Sequence, residues 1–146
     1  MNLSTGGPVK RVLFLCQGNG CRSIIAEALA RHFWEDGAMA ACSAGIAPLG
    51  YIPSNTLEAL KDAGISSDGL YSKGLSEFSL NDIDYIVNLT FFEVDSYLPS
   101  SFSGKLISCP ITDPFGRGIE SFRQTIEEIK RLVGEKLPKL IGTVSK

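Results

Sequence analysis

At 146 residues the chain is long enough for one domain to bury a core without disulfide or metal staples. Hydrophobic residues make up 44% and charged ones 21%, an ordinary soluble balance, and no apolar run approaches the ~20 residues that span a bilayer. The formal net charge of −2 leaves no basic footprint, so neither nucleic acid nor a membrane is an expected partner.

Residues 1–8 lack the basic and apolar regions of a signal peptide and read as a flexible polar lead-in to a single domain over 9–146, expected in the cytoplasm. The run 9–15 ends in Val12-Leu13-Phe14-Leu15, the continuous apolar stretch of a buried parallel strand. Residues 23 to about 36 carry Ile25, Leu29 and Phe33 at helical spacing, with Gly37 placed as the residue that ends the helix. A second short strand over 39–44 closes on Gly45. Asn55-Thr56-Leu57-Glu58 has the form of a capping box, opening a helix with Leu57 and Leu60 inside and Gly64 at its end. A third strand is expected over 84–89, a short helix around 91–97 that stops before Pro99, and a fourth strand over 105–109. The last helix starts near 119 and aligns Phe122, Ile126, Ile129, Val133 and Leu137, with Pro138 breaking or kinking it. This alternation predicts a parallel sheet covered by helices on both faces.

Ligands of such sheets collect outside the carboxyl ends of the strands. There the chain carries Cys16-Gln17-Gly18-Asn19-Gly20-Cys21-Arg22-Ser23, a glycine-containing loop between the first strand and the first helix. Loop N–H groups and the positive end of the helix suit one anion, Arg22 adds a bidentate fork, and Cys16 lies below as a nucleophile. A free thiol titrates near ~8.5, and a helix N-terminus, amides and an arginine together lower that. Gly18 and Gly20 are expected to take unusual φ values that turn N–H groups inward, and Asn19 to tolerate the left-handed conformation. Ser23 is placed to give its hydroxyl to the sulfur.

The fourth strand leads to Asp113-Pro114-Phe115 on the same rim. A carboxyl there can protonate a leaving oxygen and then activate water, and Phe115 can line the pocket mouth. The bland alternatives are a tight strand–helix turn with a buried cysteine, and a simple Asp-Pro turn. Cys21 is either a small loop residue or an oxidation partner of Cys16. Cys42 is read as core and Cys109 as a buried strand-end thiol. Trp34, Phe91 and Phe92 are read as core or partly buried, and His32 as a surface or packing residue. The four cysteines and one histidine do not pair as a metal site requires, and no metal or cofactor is expected.

The run 12–23, followed by Ala26-Glu27-Ala28, resembles the low-molecular-weight protein tyrosine phosphatases. Ser43-Ala44-Gly45, Gly64-Ile65, Asp82-Ile83-Asp84 and Asp113-Pro114-Phe115-Gly116 extend the resemblance over nearly the whole chain. It implies a three-layer α/β/α fold with a four-stranded parallel sheet and a phosphate-binding loop after the first strand. It further implies a cysteinyl-phosphate intermediate on Cys16, Arg22 on the phosphate and Asp113 as general acid. Gln17, Gly18, Asn19, Gly20, Cys21, Ser23 and Phe115 complete the substrate-binding set. The same fold is shared by thioredoxin-coupled arsenate reductases and bacterial protein arginine phosphatases. The former add a redox cysteine pair after the third strand, where this chain reads Asn88-Leu89-Thr90-Phe91-Phe92. The latter use a threonine in place of Gly20.

The expected function is hydrolysis of protein phosphotyrosine or a related aryl phosphate, with phosphorylated proteins or small phosphoesters as partners. The alternatives are arsenate reduction recycled by thioredoxin or a small thiol, and phosphoarginine hydrolysis. A non-catalytic phosphate-binding module ranks last, because it would not need Cys16 and Asp113 together.

Overall fold

The computed structural model describes residues 9–35 and 37–142, so the expected lead-in at 1–8 lies outside the described residues. Strand β1 (Lys10–Cys16) forms the inner backbone of a parallel sheet with β2 (Met39–Gly45) on one side and β3 (Tyr85–Asn88), then β4 (Lys105–Ser108), on the other. The order β2-β1-β3-β4 makes this a four-stranded α/β fold. All pairs are parallel, so each return must cross over a face, and both faces of β1 become buried. This explains why the first strand reads as an unbroken apolar run.

Val12 and Phe14 face a layer of four helices: α1 (Arg22–Phe33), α2 (Ser54–Asp62), α3 (Ile119–Arg131) and α4 (Leu137–Ile141). Ile25, Leu29, Leu60, Phe122 and Ile129 fill that interface. Each such side chain, when fully buried, contributes roughly 1.5–3 kcal/mol. Leu13 and Leu15 face the other way, against Leu80, Ile83 and Val94. That third layer consists of loops and three single 3-10 turns, at Leu75–Glu77, Leu80–Asp82 and Asp95–Tyr97. Among the described residues no helix is long and apolar enough to cross a membrane.

Local expectations needed several corrections. Helix α1 stops at Phe33, whose side chain is 43% exposed instead of continuing the core stripe. Trp34 turns inward in its place because its indole stacks near Phe14 and its Nε1 donates to Val133 O at 2.7 Å, so burial leaves no polar atom unpaired. Gly37 does take a left-handed φ of 84°, but beyond the helix end. Helix α2 begins two residues earlier than a capping box at Asn55 would have it, with Pro53 at the N-cap position and no side-chain cap. Leu57 is exposed while Leu60 is buried, and the helix ends as expected at Gly64 (φ 74°). The expected helix around 91–97 shrinks to the turn at Asp95–Tyr97, and Phe91 and Phe92 are 71% and 43% exposed. A turn closed by Asn88 and Thr90 around the Phe92 carbonyl points both rings away from the core. Cys42, read as core, is only half-buried, on the sheet face that packs against the third layer.

Pro138 does interrupt the last helix. It has no N–H and its ring crowds the carbonyl four residues back, so the ladder widens into a π-helical turn, Leu132–Lys136, before resuming as α4.

Candidate active site

The hydrogen bonding of the 16–22 loop accounts for its shape. After Gly45 the chain continues to zip onto the loop: Ile46 N–H donates to Cys16 O at 3.0 Å, Ala47 to Gln17 O at 2.8 Å and Leu49 to Gly18 O at 2.9 Å. The Thr56 hydroxyl donates to Gly20 O at 2.7 Å, and Cys21 O accepts the first helical bond, from Ile25. The loop carbonyls are thus drawn outward. Among the described residues no backbone–backbone bond is donated by any N–H from 17 to 22. Buried N–H groups demand partners, so a ring of such donors at a helix N-terminus is suited to an anion.

Asn19 is the pivot. It takes a φ of 48° and is fully buried. Its Oδ1 accepts the Lys73 N–H at 2.8 Å, which orients Nδ2 to donate to Ser23 Oγ at 2.7 Å and Ser43 Oγ at 3.0 Å. Ser43 in turn donates to Glu27 Oε1 at 2.6 Å, because a carboxylate only accepts. The Ser23 oxygen is already accepting, so its proton is free for Cys16 Sγ, 2.9 Å away. Either atom can donate across this contact, and a thiolate at Cys16 would leave Ser23 as the donor. Lys73 Nζ sits 3.5 Å from Glu27 Oε1 and 3.3 Å from Ser43 Oγ, and Arg31 pairs with the other carboxylate oxygen. Both Glu27 and Lys73 are nearly fully buried.

The expected unusual backbone at Gly18 and Gly20 is not found, since neither is left-handed. Both lie close under Leu49 instead: a Cβ on Gly18 would lie 2.9 Å from Leu49 Cγ, and one on Gly20 2.8 Å from Leu49 Cδ1. Gly45 is tighter still, because a Cβ there would meet Asn19 N at 2.8 Å and Gln17 O at 2.9 Å.

Arg22 is buried at the start of α1. Its Nη1 donates to Leu89 O at 3.3 Å and Ile111 O at 3.2 Å, and its Nη2 lies 3.4 Å from Asp113 Oδ2. Its buried Nε has no partner. Asp113 is about half exposed, and its Oδ1 accepts the Phe115 N–H at 3.0 Å.

Cys16, Gln17, Gly18, Gly20, Cys21, Arg22, Asp113 and Phe115 line one cavity of about 320 Å³, with Ala47 and Leu49. Asn19 and Ser23 lie beneath it, in the buried network. Sequence reasoning gave no role to Glu27, Ser43, Thr56 or Lys73, and missed Leu49. The one available signal was Glu27, a charge one helical turn after Ser23 on a face otherwise bound for the core.

Burial pushes Cys21 up to about 11, although its contact with Thr56 pulls the other way. Burial, then the Glu27 carboxylate, pushes Cys42 up to about 12, and burial raises Cys109. All four cysteines are free. Among the described residues no group of three His, Cys, Asp or Glu side chains could hold a metal ion.

A family model described as low molecular weight phosphotyrosine protein phosphatase matches residues 11–145. The low molecular weight protein-tyrosine-phosphatase YfkJ of Bacillus subtilis (strain 168) is 43% identical over 83 residues, covering 52% of this chain and 53% of that protein. The glutaredoxin arsenate reductase of Synechocystis sp. is 28% identical over 139 residues, covering 94% of this chain and 100% of that protein. Among solved structures, the YwlE arginine phosphatase from Geobacillus stearothermophilus superposes with a TM-score of 0.77 at 25% identity, covering 94% of this chain and 98% of that one. With a family match over residues 11–145, the chain belongs to the low molecular weight phosphotyrosine protein phosphatase family.

Proposed function

We propose that the protein is a cysteine-dependent phosphatase that hydrolyses phosphotyrosine in proteins, or a related aryl phosphate, through a phosphocysteine. The observation that carries this reading is the unpartnered, buried Nε of Arg22, on a cavity it shares with Cys16 and a loop whose N–H groups have no backbone acceptor. Cys16 Sγ attacks phosphorus, while the loop amides and Arg22 take the charge that gathers on the transferring oxygens. The Ser23 hydroxyl stabilises negative sulfur, first as attacker and then as leaving group. Asp113 gives its proton to the departing ester oxygen and, as a carboxylate, receives one from the water that cleaves the phosphocysteine. The scheme needs no metal or cofactor.

Cys16→Ser removes the nucleophile and is expected to abolish release of phosphate from an aryl phosphate. A rapid acid quench of the unaltered protein is expected to trap phosphate on the peptide containing Cys16. Turnover by the variant, or an unlabelled peptide, removes the covalent mechanism.

Arsenate reduction is the second reading, favoured by the full-length match to a glutaredoxin arsenate reductase and by a second thiol, Cys21, on the same cavity. The absence of cysteine from 88–92 and the raised Cys21 thiol weigh against it. A panel of phosphotyrosine, phosphoarginine and arsenate, the last with thioredoxin or a small thiol, distinguishes these substrates. Arsenate-dependent thiol oxidation without phosphate release would select the reductase.

A further inference from the structure

Asp113 stands on a ridge between two spaces. Asp113 and Phe115 line the cavity that holds Cys16, while Thr112 and Pro114, the alternate residues of the same segment, line a second cavity of about 400 Å³. That cavity follows α3 and shares Glu128 and Arg131 with a third, of about 580 Å³, which reaches Lys136. The two make one furrow from Ser121 to Lys136, about 20 Å long at ~1.5 Å per helical residue. An extended chain of about six residues covers that length.

The charge of the furrow departs from that of the molecule. The whole chain carries a net −2. Yet Arg117, Arg131 and Lys136 on the furrow are exposed and enter no ion pair among the described residues. Of its carboxylates, Glu127 is paired with Lys130 at 3.5 Å, which leaves Glu128 as the unpaired one.

The π turn supplies one of those cations. In an unbroken α-helix the residue seven beyond Glu128 returns to its face, and that residue is Glu135. The turn at Leu132–Lys136 takes up one extra residue, so Lys136 lines the furrow in place of Glu135. Lys136 also lies near enough to Cys109, on the β4 side of the furrow, to oppose the rise of that thiol. The irregularity that Pro138 forces on the helix thus exchanges an acidic side chain for a basic one.

We propose that this furrow docks an acidic segment of the phosphorylated protein substrate, about six residues long, beside the residue whose phosphate enters the Cys16 cavity. This docking rests on the phosphatase reading and adds a substrate class to it: phosphoproteins with acidic residues flanking the phosphorylated side chain. Arg117 meets the segment nearest Asp113, and Arg131 and Lys136 hold its far part. Such exposed pairs add modestly to affinity and make it depend on salt.

The test uses peptides bearing a non-hydrolysable phosphonate analogue of phosphotyrosine, with arms of about six residues on both sides that alternate glycine with either glutamate or glutamine. Fluorescence anisotropy reports their affinities. Glutamate arms are expected to bind about tenfold tighter than glutamine arms at low salt, the scale of two or three exposed ion pairs, and less than about twofold tighter at about 1 M salt. The Arg131→Gln, Lys136→Gln variant is expected to cut the low-salt ratio to about threefold or less, with affinity for inorganic phosphate unchanged. Arg131→Glu, Lys136→Glu is expected to invert the preference, and Glu135→Gln, off the furrow, to leave it intact. A ratio near one in the unaltered protein, no binding of either peptide, or a ratio indifferent to the changes at Arg131 and Lys136 overturns the proposal. An equal loss of phosphate affinity in those variants overturns it too, as does a glutamate-armed peptide that binds equally well without its phosphonate. If the ratios behave as expected but phenyl phosphate is not hydrolysed, the docking furrow stands and the proposed catalysis falls.

Discussion

Gly45→Ala is the most economical perturbation of the phosphate loop, because it adds one methyl group at the last β1–β2 pair and removes nothing. The new carbon would lie 2.8 Å from Asn19 N, 2.9 Å from Asn19 Cβ and 2.9 Å from Gln17 O. Two of these three atoms are backbone and the third is the base of a side chain fixed by three hydrogen bonds, so none can swing aside. Relief to normal contact requires the loop to move about 0.5–1 Å. A displacement of that order at a reacting site costs about 100-fold in rate. Overpacking of this kind lowers stability by roughly 1–3 kcal/mol. Gly104→Ala is the control: its Cβ would lie 2.5 Å from Asp84 O and 2.7 Å from Ile83 O, a harsher clash at the opposite end of the sheet. Urea unfolding and kcat/KM for an aryl phosphate are measured on both. Gly45→Ala is expected to lose kcat/KM far beyond its loss of stability, and Gly104→Ala to lose stability with kcat/KM preserved in the folded protein. Equal activity losses in the two variants, or an active Gly45→Ala, would refute the idea that loop placement, not general packing, is what Gly45 protects.

Three further outcomes follow from the site. Asp113→Ala should slow an ester with a poor leaving group by about 10²–10⁴-fold and one with a good leaving group much less; equal losses remove Asp113 as the acid. Lys73→Met leaves the buried Glu27 carboxylate without one of its cations and should cost about 3–5 kcal/mol in urea, part of it recovered in the Glu27→Gln, Lys73→Met double variant. A loss below about 1 kcal/mol would show that Arg31 and Ser43 suffice. Alkaline stability depends on two thiols that desolvation raises: Cys21 and Cys42 stand near 11 and 12 in the fold against 9.0 when unperturbed. Above pH 9 the unfolded chain releases protons that the folded chain still holds, so stability falls as pH rises through the 9–11 window. It should fall less steeply in a Cys21→Ala, Cys42→Ala variant, and identical slopes in urea titrations would contradict these shifts.

The strand–loop–helix order was legible because it is local. Val12 to Leu15 is a buried run, Gly64 stops a helix by its own φ, and Pro138 breaks a ladder by its own chemistry. Asp113 was found through topology, since parallel strands bring their carboxyl ends to one rim. The network under the loop was not legible in the same way. Residues 19, 27, 43 and 73 meet only after β2 and the 71–74 segment have folded onto α1, and no periodicity reports that meeting. At Gly18 and Gly20 the neighbour is Leu49 and the φ is not left-handed, yet in sequence a glycine looks the same whether it supplies φ or supplies room. Phe33, Leu57 and Phe91 were over-buried by pattern, where a helix end or a short turn changes which way the next side chain points.

The anchoring of Arg22 has a consequence for ligand capture. Three of its guanidinium contacts tie the beginning of α1 to the carbonyls of Leu89 and Ile111 and to Asp113, so the residue stitches together the segments that follow β3 and β4. A free arginine surrenders roughly 1.5–2 kcal/mol of rotamer entropy when it is immobilised. Here that loss occurs as the chain folds, before any anion arrives. On the proposed function, a phosphoryl group reaching the loop would meet a fork already cocked, and the same stitch makes Arg22→Ala a wound to the rim of the sheet as well as to the site.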